Sequence, residues 1–126
     1  MAEKELRRRR HARLMLREPM RDPRSAQHEV RILELSLGGA RVEHTAILRP
    51  GGVHRLHLPL GNRPVAIQCL VVWSEAKGRA KGEPRGAALR FHSGLEFRNL
   101  TPEVQALLTA FLQAEGLPIT DAGDPR

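Results

Sequence analysis

An arginine-rich segment near the N-terminus carries the strongest chemical signal in the sequence. The run RRRRHAR, residues 7–13, places five arginines in seven positions directly before the apolar residues 14–16. An arginine side chain presents a planar fork of donors that matches phosphate oxygens and the O6/N7 edge of guanine, and its flat face stacks on bases. A ligand that combines phosphate with guanine would use all three properties. The candidate ligand-binding residues here are Arg8, Arg9, Arg10 and Arg13.

A second candidate site is ILELSLGGARV, residues 32–42, where an acid-x-Ser-x-x-Gly pattern separates two predicted strands. The Glu34 carboxylate accepts hydrogen bonds from the N1 and N2 hydrogens of guanine, and the Ser36 hydroxyl donates or accepts. Gly38 and Gly39 complete the candidate site, because a glycine lets a ligand approach the backbone closely. This spacing is weak evidence by itself, since a Ser-x-Gly-Gly turn joins many hairpins.

The positive charge of the chain is concentrated in the N-terminal region. The formal net charge is +7 over 126 residues, and residues 1–24 hold nine Lys or Arg against four acidic residues, a balance of +5. The other 102 residues carry 12 basic and 10 acidic residues, a balance of +2. This asymmetry predicts an anionic partner that meets the N-terminal region, because clustered like charges attract anions there.

Several other functional classes find little support in the sequence. No stretch approaches the roughly 20 apolar residues that span a bilayer, and the N-terminus is too charged for a signal peptide, so we expect a cytoplasmic protein. The single cysteine, Cys69, excludes an internal disulfide and alternates with apolar neighbours, which predicts a core position. His54 and His57 would face opposite sides of a strand, so no metal site is predicted. The sequence shows no nucleophile-base pair and no spaced carboxylate dyad, so an enzyme is not expected.

The middle of the chain alternates apolar and polar residues in a pattern typical of short strands. Strands are predicted at residues 28–36, 39–45, 54–60 and 65–74, with one or two more in GAALRFH and GLEF. Pro59 indicates an edge strand or a strand end. Residues 65–74 are apolar on both faces, which indicates a central or covered strand with Trp73 in the core. Residues 77–86 combine Gly, Pro and charge and are predicted to be a loop.

The C-terminal segment NLTPEVQALLTAFLQAEG, residues 99–116, predicts a helix with Thr101 as N-cap, Pro102 at its first position and Gly116 at its end. An apolar stripe must cover the sheet or a partner subunit, and it consists of Val104, Leu107, Leu108, Phe111 and Leu112. About six short strands and one terminal helix predict a mainly all-β fold, a small β-barrel with a C-terminal helix. Such a barrel is filled by its own side chains, so a ligand is expected on the outside.

Taken in order, the RxxxR arm, the acid-x-Ser-x-x-Gly turn, VVWS, GLEF and the terminal helix resemble the PilZ domain over about residues 7–113. The resemblance implies a six-stranded antiparallel β-barrel at residues 14–115, with the helix at about 101–115. A flexible basic arm at residues 1–13 and a disordered tail at 116–126 flank the predicted barrel. Most members of that family bind the bacterial second messenger cyclic di-GMP, so this ligand is expected here, with no other cofactor.

The resemblance also implies a role for each site residue. Arg9 and Arg13 would reach the phosphates and the guanine Hoogsteen edges, while Glu34, Ser36 and Gly39 would form the base-reading wall. Arg8 stands just before the RxxxR element, where an extra arginine favours two stacked ligand molecules. The family usually has Asp or Asn at the place of Glu34, whose carboxylate lies about one methylene further out. Loss of one well-aligned charge-assisted hydrogen bond costs roughly 1.5–3 kcal/mol, so weakened but retained binding is expected.

These observations favour a stand-alone receptor whose arm orders over the ligand and which signals through an unidentified downstream protein. A monomer or weak homodimer is expected. A nucleic-acid-binding β-barrel is an alternative, but single-strand binders stack bases on aromatic residues, and this chain has 3% aromatic residues and no Tyr. A ligand-independent PilZ-like adaptor is a second alternative. Such adaptors usually lack the arginine pair, which this chain keeps, and Glu34 is the one feature in their favour.

Overall fold

A single antiparallel sheet and one C-terminal helix form the described part of the chain, which in this computed structural model comprises residues 13–23, 29–60, 62–79 and 89–116. The sheet curls into a half-barrel with the strand order β1-β2-β3-β6-β5-β4. The predicted fold, mainly β with six antiparallel strands and a terminal helix, is confirmed. The elements are β1 (Leu14–Arg21), β2 (Val30–Leu35), β3 (Gly39–His44), β4 (Val53–Leu60), β5 (Arg63–Gly78), β6 (Arg90–Arg98) and α1 (Pro102–Ala114).

The core fills the concave side of the curled sheet, because alternate residues of each strand point to the same face. Cys69 is fully buried there, as predicted, and burial raises the pKa of its thiol to about 12. The buried apolar residues of the described chain are Leu16, Val30, Ile32, Leu35, Ala40, Val42, Leu56, Leu58, Leu60, Ile67, Cys69, Val71, Leu95, Phe97, Leu108 and Leu112. With the interior occupied by these side chains, the outer face of the sheet remains for a ligand.

Strand β5 lies between β4 and β6, as its two apolar faces predicted, but it is longer than its apolar run. It continues to Gly78, so it takes in the start of the segment that the sequence predicted to be a loop. A register shift between Val71 and Trp73 changes which side chains face inward. The prediction that Trp73 lies in the core is therefore wrong, because its side chain turns outward and is 40% exposed.

A series of hydrogen-bonded polar side chains occupies the inner position that was predicted for Trp73. Ser74 faces inward and its hydroxyl lies 2.9 Å from that of the fully buried Ser93 on β6. Ser93 in turn lies 2.7 Å from His44 Nε2, and His44 Nδ1 lies 2.6 Å from the Ala46 carbonyl. Since a carbonyl only accepts, Nδ1 carries the ring proton and Nε2 accepts from Ser93. Burial is the main cause that lowers the pKa of His44, in agreement with this neutral ring.

Asp22 links the two edges of the sheet, which are β1 and β4. The buried Asp22 carboxylate accepts a hydrogen bond from the backbone N–H of His57 at 3.0 Å, and its other oxygen lies 3.5 Å from His57 Nδ1. Pro59 lies on the edge strand β4, as predicted. His54 pairs in register with the buried Cys69, whereas His57 lies three residues further on and faces the other side, as predicted.

Helix α1 begins and ends at the predicted signals. The Thr101 hydroxyl accepts a hydrogen bond from the Val104 N–H at 3.2 Å, and the chain leaves the helix at Gly116, where φ is 103°. Helix α1, the one helix in the described part of the chain, is too short to cross a membrane.

The apolar stripe of α1 is narrower than predicted. Leu108 and Leu112 are fully buried against the sheet, and Phe111 packs at their side. Leu107 lies at the margin of this stripe and is 43% exposed, so its assignment to the covering face is wrong. Helix α1 therefore contacts the core through Val104, Leu108, Phe111 and Leu112.

Candidate ligand-binding site

The Ser36 hydroxyl organises the turn between β2 and β3. Ser36 Oγ accepts hydrogen bonds from the N–H groups of Gly38 and Gly39, each at 3.1 Å, and lies 3.3 Å from the Gly39 carbonyl. The Ser36 N–H also donates to the Gly39 carbonyl at 2.9 Å. Such side-chain bonds to nearby backbone groups fix the conformation of tight turns. In the structure the hydroxyl is thus directed into its own turn.

Gly38 and Gly39 bring this turn close to β6. A Cβ atom built on Gly39 would meet the carbonyl oxygen of Leu95, and the Phe97 N–H donates to the Gly38 carbonyl at 2.8 Å. Gly39 does not have a positive φ, so its backbone conformation does not require a glycine. The close approach of β3 and β6 does, because it leaves no room for a Cβ atom. The sequence indicated approach to a ligand, whereas the structure shows approach to a neighbouring strand.

Glu34 projects from the convex side of β2 and is held by two arginines. A register shift between Ile32 and Glu34 places Glu34 opposite Arg41 of β3. Glu34 Oε2 lies 3.4 Å from Arg41 Nη2, and Oε1 lies 3.6 Å from Arg13 Nη1. The Glu34 side chain is only 15% exposed, whereas that of Arg13 is 50% exposed. The carboxylate is consequently fixed, while Arg13 keeps donors for another group.

The structure thus brings together one residue from each predicted motif. Arg13, the last residue of the arginine run, meets Glu34, which lies 21 residues later in the chain. Arg8, Arg9 and Arg10 lie outside the described residues. The candidate site is therefore the convex surface at the start of β1, beside Glu34.

A row of residues crosses the convex face from this point, one on each of five strands. In register, Met15 lies opposite Glu34, Glu34 opposite Arg41, Arg41 opposite Gly94, and Gly94 opposite Trp73. The Trp73 indole occupies the space above Gly94, where a Cβ atom would meet its Nε1, Cε2 and Cδ1 atoms. The row ends in an exposed flat ring of the kind on which a nucleobase stacks.

Neither Arg41 nor Trp73 was among the candidate site residues predicted from the sequence. Arg41 lies two residues after Gly39, the last residue of the acid-x-Ser-x-x-Gly pattern, and a strand places residues two apart on one face. This spacing placed Arg41 on the same face of β3 as Gly39, and it was the signal in the sequence that could have identified Arg41. Trp73 carried no such signal, because its direction depends on the register shift in β5.

A second group of charges adjoins this row on β3 and β6. Glu43 Oε1 lies 3.3 Å from Arg31 and 3.5 Å from Arg90, and Glu43 Oε2 lies 3.2 Å from His92 Nε2. His92 Nδ1 lies 3.1 Å from Arg41 Nη1. Arg41 therefore connects this group to Glu34. Within the described residues, no set of three or more His, Cys, Asp or Glu is arranged to hold a metal ion.

Comparisons with known proteins identify a family and a fold. The family model of the PilZ domain matches residues 7–114. The structure is similar to the PilZ domain with c-di-GMP of YcgR from Escherichia coli, with a TM-score of 0.62 and 18% sequence identity over 85% of this chain and 90% of that chain. It is also similar to the crystal structure of Escherichia coli YcgR in complex with c-di-GMP, with a TM-score of 0.60 and 16% identity over 86% of this chain and 46% of that chain. A search of curated proteins gives no match.

Proposed function

Because the chain belongs to the PilZ domain family, we propose that it is a receptor that binds cyclic di-GMP on the convex face of the sheet, between the N-terminal arginines and Glu34. The observation that carries this proposal is the ion pair between Arg13 and Glu34, whose atoms lie 3.6 Å apart. It joins the two motifs at one place on the surface. The two YcgR structures with the same fold are described as containing c-di-GMP, which supports the choice of ligand.

The chemistry of the site fits a guanine nucleotide. An ionised carboxylate offers about four lone-pair positions, so Glu34 has acceptor capacity left beside its two arginines. In the proposed complex that capacity is used by the N1 and N2 hydrogens of guanine. Arg13, half-exposed beside it, presents its remaining donors to phosphate or to the guanine O6/N7 edge. Arg8, Arg9 and Arg10 would add charge and donors from the preceding segment.

Ser36, Gly38 and Gly39 serve this site through the backbone in our proposal. Their hydrogen bonds and close packing define the β2–β3 turn next to Glu34. Trp73 adds a stacking surface at the other end of the row. It lies three strands from Glu34, which corresponds to about 14 Å at the usual strand spacing. A dinucleotide of two bases and two phosphates is long enough to contact both ends.

Titration calorimetry with cyclic di-GMP tests the proposal. We expect binding in the micromolar range or tighter, loss of at least tenfold in affinity for Arg9→Ala and Arg13→Ala, and no binding of GTP under the same conditions. Arg55→Ala is the matched control, because it removes one exposed arginine from β4, which contributes no residue to the row that runs from Met15 to Trp73. The measured stoichiometry separates one ligand from the two stacked ligands that Arg8 favours. Absence of heat from the unmodified protein, or equal loss in all three variants, would contradict the proposal.

A fluorescence titration provides an independent measurement. Trp73 is the only tryptophan, so intrinsic emission at its excitation reports this position alone. Stacking of a guanine on the exposed indole is expected to quench the emission with the same affinity as the calorimetric titration. Unchanged emission during saturating binding would remove Trp73 from the site and leave the arginine-Glu34 assignment in place.

The signalling part of the proposal is that ligand binding changes the surface offered to a downstream protein. Arg13 connects the described barrel to the arginine run, so a ligand held at Glu34 would restrain that segment. One observation favours the alternative of a ligand-independent adaptor. Both oxygens of Glu34 already face arginines, so the site is electrostatically satisfied without a ligand. A pull-down with and without cyclic di-GMP separates the two, because an adaptor would capture the same partners in both.

A further inference from the structure

Arg41 is held at three points on the convex face of the sheet. Its Nη2 lies 3.4 Å from Glu34 Oε2 and 3.8 Å from Met15 Sδ, and its Nη1 lies 3.1 Å from His92 Nδ1. The side chain is 25% exposed, so most of the guanidinium surface is packed against these neighbours. A planar guanidinium contacted on both terminal nitrogens has one orientation available to it.

The contact with His92 depends on one tautomer of the imidazole. His92 Nε2 lies 3.2 Å from Glu43 Oε2, and a carboxylate only accepts, so Nε2 carries the proton. Nδ1 then presents its lone pair to the Arg41 N–H. Glu43 is itself fixed by Arg31 and Arg90, at 3.3 and 3.5 Å. One of the three contacts that hold Arg41, the contact with His92, is therefore set by residues outside the row that runs from Met15 to Trp73.

We propose that Arg41 is a positioning residue that fixes the Glu34 carboxylate for reading guanine, and that His92 fixes Arg41. This inference rests on the proposed binding of cyclic di-GMP. A glutamate has one more rotatable bond than an aspartate, so a free Glu34 would lose more conformational freedom when a ligand arrived. The Arg41 contact removes that freedom in the ligand-free protein, and a preorganised group binds more tightly than a free one.

Arg41 could instead contact the ligand directly, and the two roles predict different coupling. A direct contact acts independently of Glu34, so its loss weakens binding by the same factor whether or not Glu34 is intact. A positioning residue acts only through Glu34, so its loss has no effect once Glu34 has been disabled. Double-mutant cycles measure this difference.

The experiment is a calorimetric cycle with cyclic di-GMP on the full chain, using R41M, E34Q and the double variant, with R41K as the conservative variant. We expect R41M to weaken binding about tenfold and R41K to restore most of that loss, because lysine keeps a donor for Glu34. In the E34Q background, R41M should change affinity by less than twofold. Thermal unfolding of each variant establishes that the compared proteins are folded.

If R41M and E34Q each weakened binding by its own factor, and these factors multiplied in the double variant, the inference would be overturned while the proposed function would stand. An R41K variant as weak as R41M would overturn it as well. No binding by the unmodified protein would instead refute the proposed function, and the inference with it. A spectroscopic measurement needs no ligand: long-range ¹H–¹⁵N spectra should show the His92 proton on Nε2. A proton on Nδ1 in the free protein would contradict the way in which Arg41 is held.

Discussion

Replacing Gly39 by alanine is expected to destabilise the barrel rather than to remove a ligand contact. A Cβ at this position would meet the Leu95 carbonyl oxygen and would lie 3.2 Å from the Leu95 carbonyl carbon and 3.4 Å from Glu96 Cα. These atoms belong to the backbone of the neighbouring strand, so they cannot move away through a change of side-chain rotamer. The added methyl must therefore push β3 and β6 apart, where they share the register from Gly39 to His44.

The magnitude follows from the cost of overpacking. Inserting a methyl into a well-packed region costs typically 1–3 kcal/mol, and a rigid backbone neighbour places the cost of Gly39→Ala at about 3 kcal/mol. For a domain of this size that corresponds to a fall in Tm of roughly 9–15 °C. Gly94→Ala is the matched control. Its new methyl would meet the Trp73 indole, a side chain that swings outward, so a cost of about 1 kcal/mol and a change in Trp73 emission are expected.

Urea unfolding of the two variants measures these costs, and calorimetry at low temperature, where both are folded, measures ligand affinity. We expect Gly39→Ala to lose some affinity for cyclic di-GMP under those conditions, through displacement of the β2–β3 turn, but less than the tenfold loss expected for Arg13→Ala. A Gly39→Ala protein of unchanged stability that no longer binds would refute the reasoning, because it would show that the missing side chain serves the ligand rather than β6.

Three further predictions concern buried groups. Burial lowers the pKa of His44 and of His54 in the folded protein, so below about pH 6.5 the unfolded chain binds more protons than the folded one. The stability that these two neutral rings contribute should therefore be complete above pH 7 and be lost on acidification. The free energy of unfolding should fall by at most about 1.4 kcal/mol per pH unit for each histidine. A flat urea profile between pH 7.5 and 5.5 would contradict this. Asp22→Ala leaves the His57 N–H without its acceptor and should cost about 1–3 kcal/mol in urea unfolding, whereas Asp22→Asn, which keeps an acceptor oxygen, should cost less. Cys69, buried and with its pKa raised to about 12, should react with a thiol reagent only at the rate of unfolding, and rapid labelling of the folded protein would show that β5 opens locally.

The elements of the fold were predictable because each has a local signal. Alternation identified β2, β3 and β4 to within two residues, and Thr101 and Gly116 marked the ends of α1. The limits of β5 were not predictable in the same way. Its last residues are polar, and they belong to the strand because they pair with β6, which is a property of the assembled sheet. The outward direction of Trp73 has the same cause, since one extra residue reverses the alternation that follows.

The candidate site was predictable as a set of residue types but not as a set of contacts. The resemblance predicted that Arg13 and Glu34 serve one ligand site, but it did not predict the ion pair between them, whose atoms lie 3.6 Å apart in the structure. The role of Ser36 was not evident from the sequence, because the same hydroxyl suits a ligand contact and a turn. Arg41 was missed because its partner Glu34 lies on another strand, and the register that joins them contains a shift.

The length of the Glu34 side chain matches the position of Arg41 on the neighbouring strand. An aspartate at position 34 would withdraw the carboxylate by one C–C bond, about 1.5 Å, from a guanidinium that already lies 3.4 Å away. Arg41 would then lose its acidic partner while His92 still held it in place. Conversely, Glu34 without Arg41 would have only the half-exposed Arg13 to orient its longer side chain. In the proposed site Glu34 and Arg41 would therefore act as one unit. Although the family usually has Asp or Asn at this place, E34D should then weaken cyclic di-GMP binding in the presence of Arg41 and change it little in the R41M background.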